Sequence, residues 1–427
     1  MPPDNRPTFP ASPHPVSAAA AAAHPNGLRP ALWRSRPFML LLSSGFVLAL
    51  GGKLYELTLP LLLYDLTHSA VAMSAMRSIE FLPNLLLAVF IGVLVDRSRK
   101  KRWTILSVFF QIAVLAGLYL WTEKGPGASS LYAYYIGGFL LMTFGYAYNN
   151  ARAALVKQCL PAGLLAPANA SYSFMTTLIG IGGPALTGLI LSLSDLQDGL
   201  LLTAAAYVPA LLLLSLLPAD GRSPRQKPAG WGRELAEAWR ELRRNRALWQ
   251  ITLLVVFMNA ASGMVDATVI FTAKDRLGLS SGMLGLALSA AGAGGLAGSL
   301  LLPPLKRRFR LGALLAASSL LSAAGSLLLA LAASTGMMAA GLFVDGLAGA
   351  VGTICIWTYR QESTPAHLIG RINGLTGSIF KLGMPLAIYA GGWASELGST
   401  AHVFLAAAFI HLSTAAACRT GSLWKTA

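Results

Sequence analysis

Twelve long apolar runs follow one another along the chain, at approximately 38–65, 71–95, 103–122, 131–150, 167–193, 198–218, 247–272, 283–305, 310–331, 336–358, 370–395 and 400–418. Most approach or exceed the roughly 20 residues that carry a helix across the hydrocarbon of a bilayer. Many contain glycine and proline, which membrane helices tolerate and soluble helix interiors do not. Strands of a membrane barrel would be about 10 residues long with alternating polarity. These runs are too long and too uniform for that. The pattern predicts an all-α membrane protein of twelve transmembrane helices.

Composition and charge agree. Of the 427 residues, 55% are hydrophobic and only 12% charged, too few charges to cover a soluble surface of this size. Mean hydropathy is +0.60. The net charge of +16 would suggest nucleic acid on a soluble protein, but here most of it lies in short stretches between apolar runs. With the N-terminus inside, 27 of the 33 Lys and Arg fall in cytosolic tails and loops. Lys124, Lys274 and Arg276 fall outside, and Lys53, Arg77 and Lys381 within spans. This bias predicts a multi-pass protein of the cell (inner) membrane with both termini cytosolic, surrounded by lipid and not by nucleic acid.

The Pro- and Ala-rich residues 1–36 predict a disordered cytosolic tail. The stretch 219–246 divides the spans six and six, giving an N-terminal bundle over 37–218 and a C-terminal bundle over 247–427. This linker places Trp231, Leu235, Trp239 and Leu242 on one face of a predicted helix, with Arg233, Arg240, Arg243 and Arg244 over much of the rest. Such a helix either lies on the inner leaflet or is a solvated connector.

The two halves echo each other. An offset of 210 places Glu56 on Asp266, Asp65 on Asp275, Arg97 on Arg307 and Lys100 on Arg310. An offset of 204 aligns 161–169 with 365–373, each leading into a span with Gly183-Pro184 or Gly383-Met384-Pro385. Parallel six-helix repeats imply a pseudo-two-fold axis along the membrane normal and a site between the halves.

The loop after the second run reads Gly92-Val93-Leu94-Val95-Asp96-Arg97-Ser98-Arg99-Lys100-Lys101-Arg102. It resembles the signature loop of the major facilitator superfamily, and the twelve-span plan extends that resemblance over 37–418. The resemblance implies a cytosolic gate built on Gly92, Asp96 and Arg97, with Arg152 and the start of span eleven as partners for Asp96. The second-half copy, Leu305 to Arg310, lacks the aspartate. In span five, Gly180, Gly182, Gly183, Pro184 and Gly188 partly resemble the glycine-proline signature of proton-coupled exporters in that superfamily; close helix packing explains them equally well.

Ionisable residues inside spans mark function, because a charge in hydrocarbon costs at least ~2.5–3.5 kcal/mol. Lys53 and Glu56 stand three apart in span one, and Arg77 and Glu80 three apart in span two. Asp266, Asp345 and Lys381 lie in spans seven, ten and eleven. Pairing of Lys53 with Glu80, or of Arg77 with Glu56, would merely lock helices. Asp266 and Asp345 have no basic neighbour within their own spans, which suits them, with Glu56, to carrying a proton. Lys53, Glu56, Arg77, Glu80 and Lys381 are the expected substrate contacts, with Tyr55, Asn259 and Trp357 adding hydrogen bonds and aromatic surface.

Cys159, Cys355 and Cys418 lie far apart, and the six histidines show no metal-ligand spacing. Phosphate-binding loops, nucleophile elbows and His-Glu-x-x-His motifs are missing from the sequence. A cofactor, a metal and enzymatic activity are therefore not expected. The expected partners are a small-molecule substrate, protons and the bilayer, and a monomer is expected. The stretches Leu54–Pro60 and Leu82-Pro83-Asn84 most resemble bacterial exporters related to enterobactin, macrolide and opine-metallophore efflux proteins. Three basic residues within spans favour a zwitterionic or carboxylate-bearing metallophore or siderophore. Proton-coupled multidrug or macrolide efflux is the alternative, and a channel or scramblase with this fold a distant one.

Overall fold

The computed structural model describes residues 32–124, 129–218, 231–364, 369–420 and 424. Most of the predicted N-terminal tail and the first part of the linker lie outside them. Every regular element among the described residues is helical. The first group comprises α1 (Arg36–Thr67), α2 (Ala70–Leu86), α3 (Ala88–Arg97), α4 (Lys100–Glu123), α5 (Ser129–Cys159), α6 (Ala162–Leu193) and α7 (Asp198–Ser215). The second comprises α8 (Trp231–Arg244), α9 (Arg246–Phe271), α10 (Ser281–Lys306), α11 (Leu311–Ala330), α12 (Thr335–Ser363), α13 (Ile369–Ile379), α14 (Met384–Leu397) and α15 (Thr400–Thr420). Among the described residues, nine helices are long and apolar enough to cross a membrane.

The predicted second and eleventh spans are each made of two shorter helices. Pro83 lacks an N–H to donate back along α2, and the helix ends at Leu87 before α3 begins. Pro385 opens α14 in its first turn, where a missing N–H costs nothing. Between α13 and α14 the chain tightens, with Lys381 N donating to Ser378 O and Leu382 N to Ile379 O. Its counterpart in the repeat behaves differently: Pro184 sits inside a continuous α6.

One core joins α1, α2 and α4–α7 through Phe38, Leu59, Leu115 and Tyr134. Another lies wholly in the second group, around Ile251, Leu315 and Cys355. A third is shared, with Leu54, Leu57 and Leu191 against Ala261, Val265 and Phe404.

The two groups meet along two seams. On one, α6 packs on α10 so closely that a methyl on Gly188 would lie 2.9 Å from Gly285 Cα, and Ser289 Oγ accepts from Ala185 N at 3.0 Å. Gly188 thus serves close helix packing, whereas a methyl on Gly180 or Gly182 would meet open space. On the other seam α2 meets α14. Ser78 Oγ donates to Pro385 O at 2.9 Å, and a methyl on Gly392 would lie 2.6 Å from Ser74 Cβ. At the far end Glu396 Oε2 accepts from Ala70 N (2.9 Å), Val71 N (3.3 Å) and Ser69 Oγ (3.1 Å). Nearby, Tyr64 Oη donates to Asp275 at 3.4 Å and packs edge-on to Phe271. The groups are therefore clasped at the end bearing the α1–α2 turn.

The linker helix needs one correction. Ala238 and Leu242 are buried against Leu248 and Ile372, so α8 is docked on the second group and does not rest its whole apolar face on lipid. Trp239 packs edge-on to Trp249, with Arg243 over both rings. The side chains of Trp231, Arg233 and Leu235 lie outside the described residues.

Candidate functional site

A cavity of about 390 Å³ runs from mid-depth towards the end where α1 begins. The first helix group supplies nearly all its wall: Tyr55 and Glu56 from α1, Glu80 and Asn84 from α2, Gln111 from α4, and Tyr148 and Arg152 from α5. Met175 and Thr176 of α6 and Tyr207 of α7 complete that side. Lys381, between α13 and α14, is the contribution of the second group.

The charges pair within helices and not between them. Lys53 Nζ lies 2.5 Å from Glu56 Oε2, and Arg77 lies 2.8 Å from Glu80 Oε2. Neither cross-helix lock, Lys53 with Glu80 or Arg77 with Glu56, forms. A three-residue spacing brings both partners to one helix face, so the local pair is reached first. The two pairs differ in consequence. Lys53 and Glu56 keep 33% and 41% side-chain exposure, and Arg77 keeps 33%. The Glu80 side chain keeps 7%. Its second oxygen accepts from Tyr55 Oη at 2.7 Å, and Arg77 also stacks over Phe81. Glu80 is thus a fully engaged anchor between α1 and α2.

Asp266 of α9 stands within electrostatic reach of Arg77, Lys53 and Glu56. Asp345 of α12 reaches Asp266 and approaches the Ser322 hydroxyl. One polar cluster therefore spans both helix groups, with four carboxylates against two cations. The sequence shows no base near Asp266 within its own span; folding supplies two from α1 and α2.

Lys381 Nζ donates to Asn84 Oδ1 at 3.0 Å, bridging the groups at the cavity wall. Asn259 does not line the cavity. Its Nδ2 donates to Phe380 O at 3.0 Å, satisfying a carbonyl at the break between α13 and α14. Trp357, Lys53 and Arg77 are also absent from the wall; Trp357 is exposed and lies under Arg360. Arg152 stacks on Tyr172 with its Cζ 4.6 Å from the ring centroid. The side chains of Asp96 and Arg97 lie outside the described residues, and Gly92 has open space around it. Sequence reasoning missed Gln111 and Tyr207 as lining residues. Gln111 carried a signal, being a lone amide in an apolar run. Tyr207 carried none, since a tyrosine in a span is more often packing.

Helices apolar over lipid-spanning lengths, two groups sealed at one end, and a charged cavity between mid-depth and the other end define a multi-pass membrane protein built to admit a solute. Residues 41–388 match the sequence profile of the Major Facilitator Superfamily. The chain belongs to that superfamily and is one of its transporters. It is 25% identical over 398 residues to the uncharacterized MFS-type transporter YfiS of Bacillus subtilis (strain 168), covering 88% of this chain and 91% of the relative. It is 26% identical over 383 residues to the multidrug efflux pump Tap of Mycobacterium tuberculosis (strain ATCC 25618 / H37Rv), covering 87% and 90%. Among solved structures, the nucleoside transporter NupG shares the fold at a TM-score of 0.73 and 15% identity, covering 89% of this chain and 98% of that one. A bacterial homologue of the iron transporter ferroportin in its inward-facing state gives 0.70 at 15% identity, covering 90% and 99%.

Proposed function

We propose that this transporter is a secondary active exporter of a small organic solute, working by alternating access and coupled to protons moving the other way. The carrying observation is the cluster of Lys53, Glu56, Arg77, Glu80, Asp266 and Asp345 between the helix groups. Two carboxylates in excess of cations offer a place for a transferable proton, and the cavity beside them offers a place for solute. Asp266 is the first candidate carrier, with Glu56 and Asp345 as alternates. Twelve spans in two six-helix bundles, related by a pseudo-two-fold axis, are the architecture this reading uses. α2–α3 and α13–α14 count as one span each, and both termini face the cytosol. The cavity then faces the cytosol, and Asp96 and Arg97 gate it.

Both signs of charge at the wall, Glu56 and Glu80 with Lys381 and Arg152, favour a zwitterionic or carboxylate-bearing solute, a metallophore included. The similarity to Tap and the adaptable Met142 and Met175 surface favour a second reading, efflux of diverse amphiphilic drugs. Inverted membrane vesicles test the transport claim. Labelled solute should accumulate against its gradient, a protonophore should abolish accumulation, and Asp96→Asn should lower it at equal expression. Accumulation unaffected by the protonophore would remove proton coupling.

A further inference from the structure

Towards its terminal end the cavity holds a group of polar atoms that the charge cluster does not use. Arg152 forms no ion pair among the described residues, and its Nε is buried without a hydrogen-bond partner. The hydroxyls of Tyr148, beside Ser44, and of Tyr172 are likewise buried and complete no hydrogen bond of good geometry, the two residues keeping 6% and 9% exposure. All three belong together. Tyr148 precedes Arg152 by one turn of α5, so both occupy one helix face. Tyr172 of α6 lies under the guanidinium plane, its hydroxyl beside the group without reaching hydrogen-bond geometry. Gly45 of α1 leaves the space open: a methyl there would lie 3.5 Å from Tyr172 Cε1 and 4.0 Å from Tyr148 Oη. Tyr148 and Arg152 both line the cavity.

Buried donors without acceptors are costly and are found filled by a ligand, an ion or water. A guanidinium fixed flat on a ring presents parallel N–H donors that match the two oxygens of a planar oxyanion. Resting on the reading of the cavity as a solute site, we propose that Arg152 and Tyr148 form a subsite for a carboxylate of the transported molecule. Tyr172 is a positioning residue that holds the guanidinium plane. The subsite is distinct from the cluster around Glu56 and Asp266, so a zwitterion binds with its anionic end at Arg152 and its cationic end towards the carboxylates.

The test is equilibrium binding of two fluorescent probes, ciprofloxacin and its methyl ester, to the purified full chain in detergent. The ester removes the carboxylate and keeps the rest of the molecule. Wild type is expected to prefer the acid at least tenfold. The preference should fall below twofold in Arg152→Gln. In Arg152→Lys, which keeps the charge and loses the fork, it should be intermediate, and Tyr148→Phe should reduce it several-fold. Tyr172→Phe keeps the stacking ring and should retain most of the preference, whereas Tyr172→Leu should lose it. An equal affinity of wild type for both probes, or an undiminished preference in Arg152→Gln, overturns the subsite. Where Arg152→Gln elutes as aggregate, Tyr148→Phe decides, and an unchanged preference there has the same meaning. Exporter activity is read separately, as energised accumulation of the ester in wild-type vesicles. Its absence beside an intact acid preference counts against the exporter reading alone.

Discussion

Glu80 does more with one carboxylate than any other residue in the site. One oxygen takes Arg77 and the other takes Tyr55, and the side chain is almost wholly withdrawn from water. Removing the carboxylate leaves the buried Tyr55 hydroxyl without its acceptor, at about 1–3 kcal/mol, and takes from the part-exposed Arg77 its partner. Glu80→Ala should therefore lower the melting temperature of the purified protein by several degrees. Arg77→Met combined with Glu80→Met should recover much of the loss, because no charge is stranded. Equal melting temperatures for wild type and Glu80→Ala would show that Glu80 is not an anchor. Lys53 and Glu56 carry no such prediction, since neither carboxylate nor ammonium of that pair is buried as Glu80 is. The identity of these residues was legible in the sequence, as ionisable side chains within apolar runs. Their pairing was not. A three-residue spacing offered Lys53 to Glu56 and Arg77 to Glu80, but the helix packing that allows or forbids a cross-helix pair is written nowhere in the local pattern.

At the scale of elements, the seam between α2 and α14 decides whether one end of the molecule stays shut. Glu396 acts there as a capping residue borrowed from another helix, placing a carboxylate on the unpaired N–H groups and positive dipole end of α2. Loss of a cap costs about 0.5–2 kcal/mol, enough to shift an equilibrium between conformers several-fold. Glu396→Ala should raise the population open at this end. Spin labels at Glu123 and Gly336, which lie at that end on α4 and α12, would report it as a longer distance component. An unchanged distance distribution would show that the Glu396 clasp does not bias closure. Element positions were largely legible, because long apolar runs set helices with little ambiguity. The break at Leu87 and the turn at 380–383 were not foreseen. Pro83 and Pro385 were visible, yet Pro60, Pro184 and Pro209 sit inside unbroken helices. At the break between α13 and α14, Asn259 takes up the Phe380 carbonyl, a partner that no local pattern announces.

Across the whole molecule, the internal repeat was the strongest sequence signal of a site between the halves, and Glu56 with Asp266 was its sharpest coincidence. The structure places both in one electrostatic cluster together with Arg77 and Lys53. Cavity shape was beyond the sequence, because almost all of its wall comes from the first helix group and, among the described residues, Lys381 alone crosses over. Antiport requires that this cluster carry a proton for each transported solute. The decisive measurement is solute-dependent proton flux in proteoliposomes, comparing wild type with Asp266→Asn, Glu56→Gln and Asp345→Asn. Proton movement on addition of solute in the wild type, lost in Asp266→Asn at unchanged protein content, is the predicted result. Persistence of that flux with unchanged pH dependence in all three variants would contradict the carrier assignment, and solute movement in the wild type without any proton flux would contradict antiport itself.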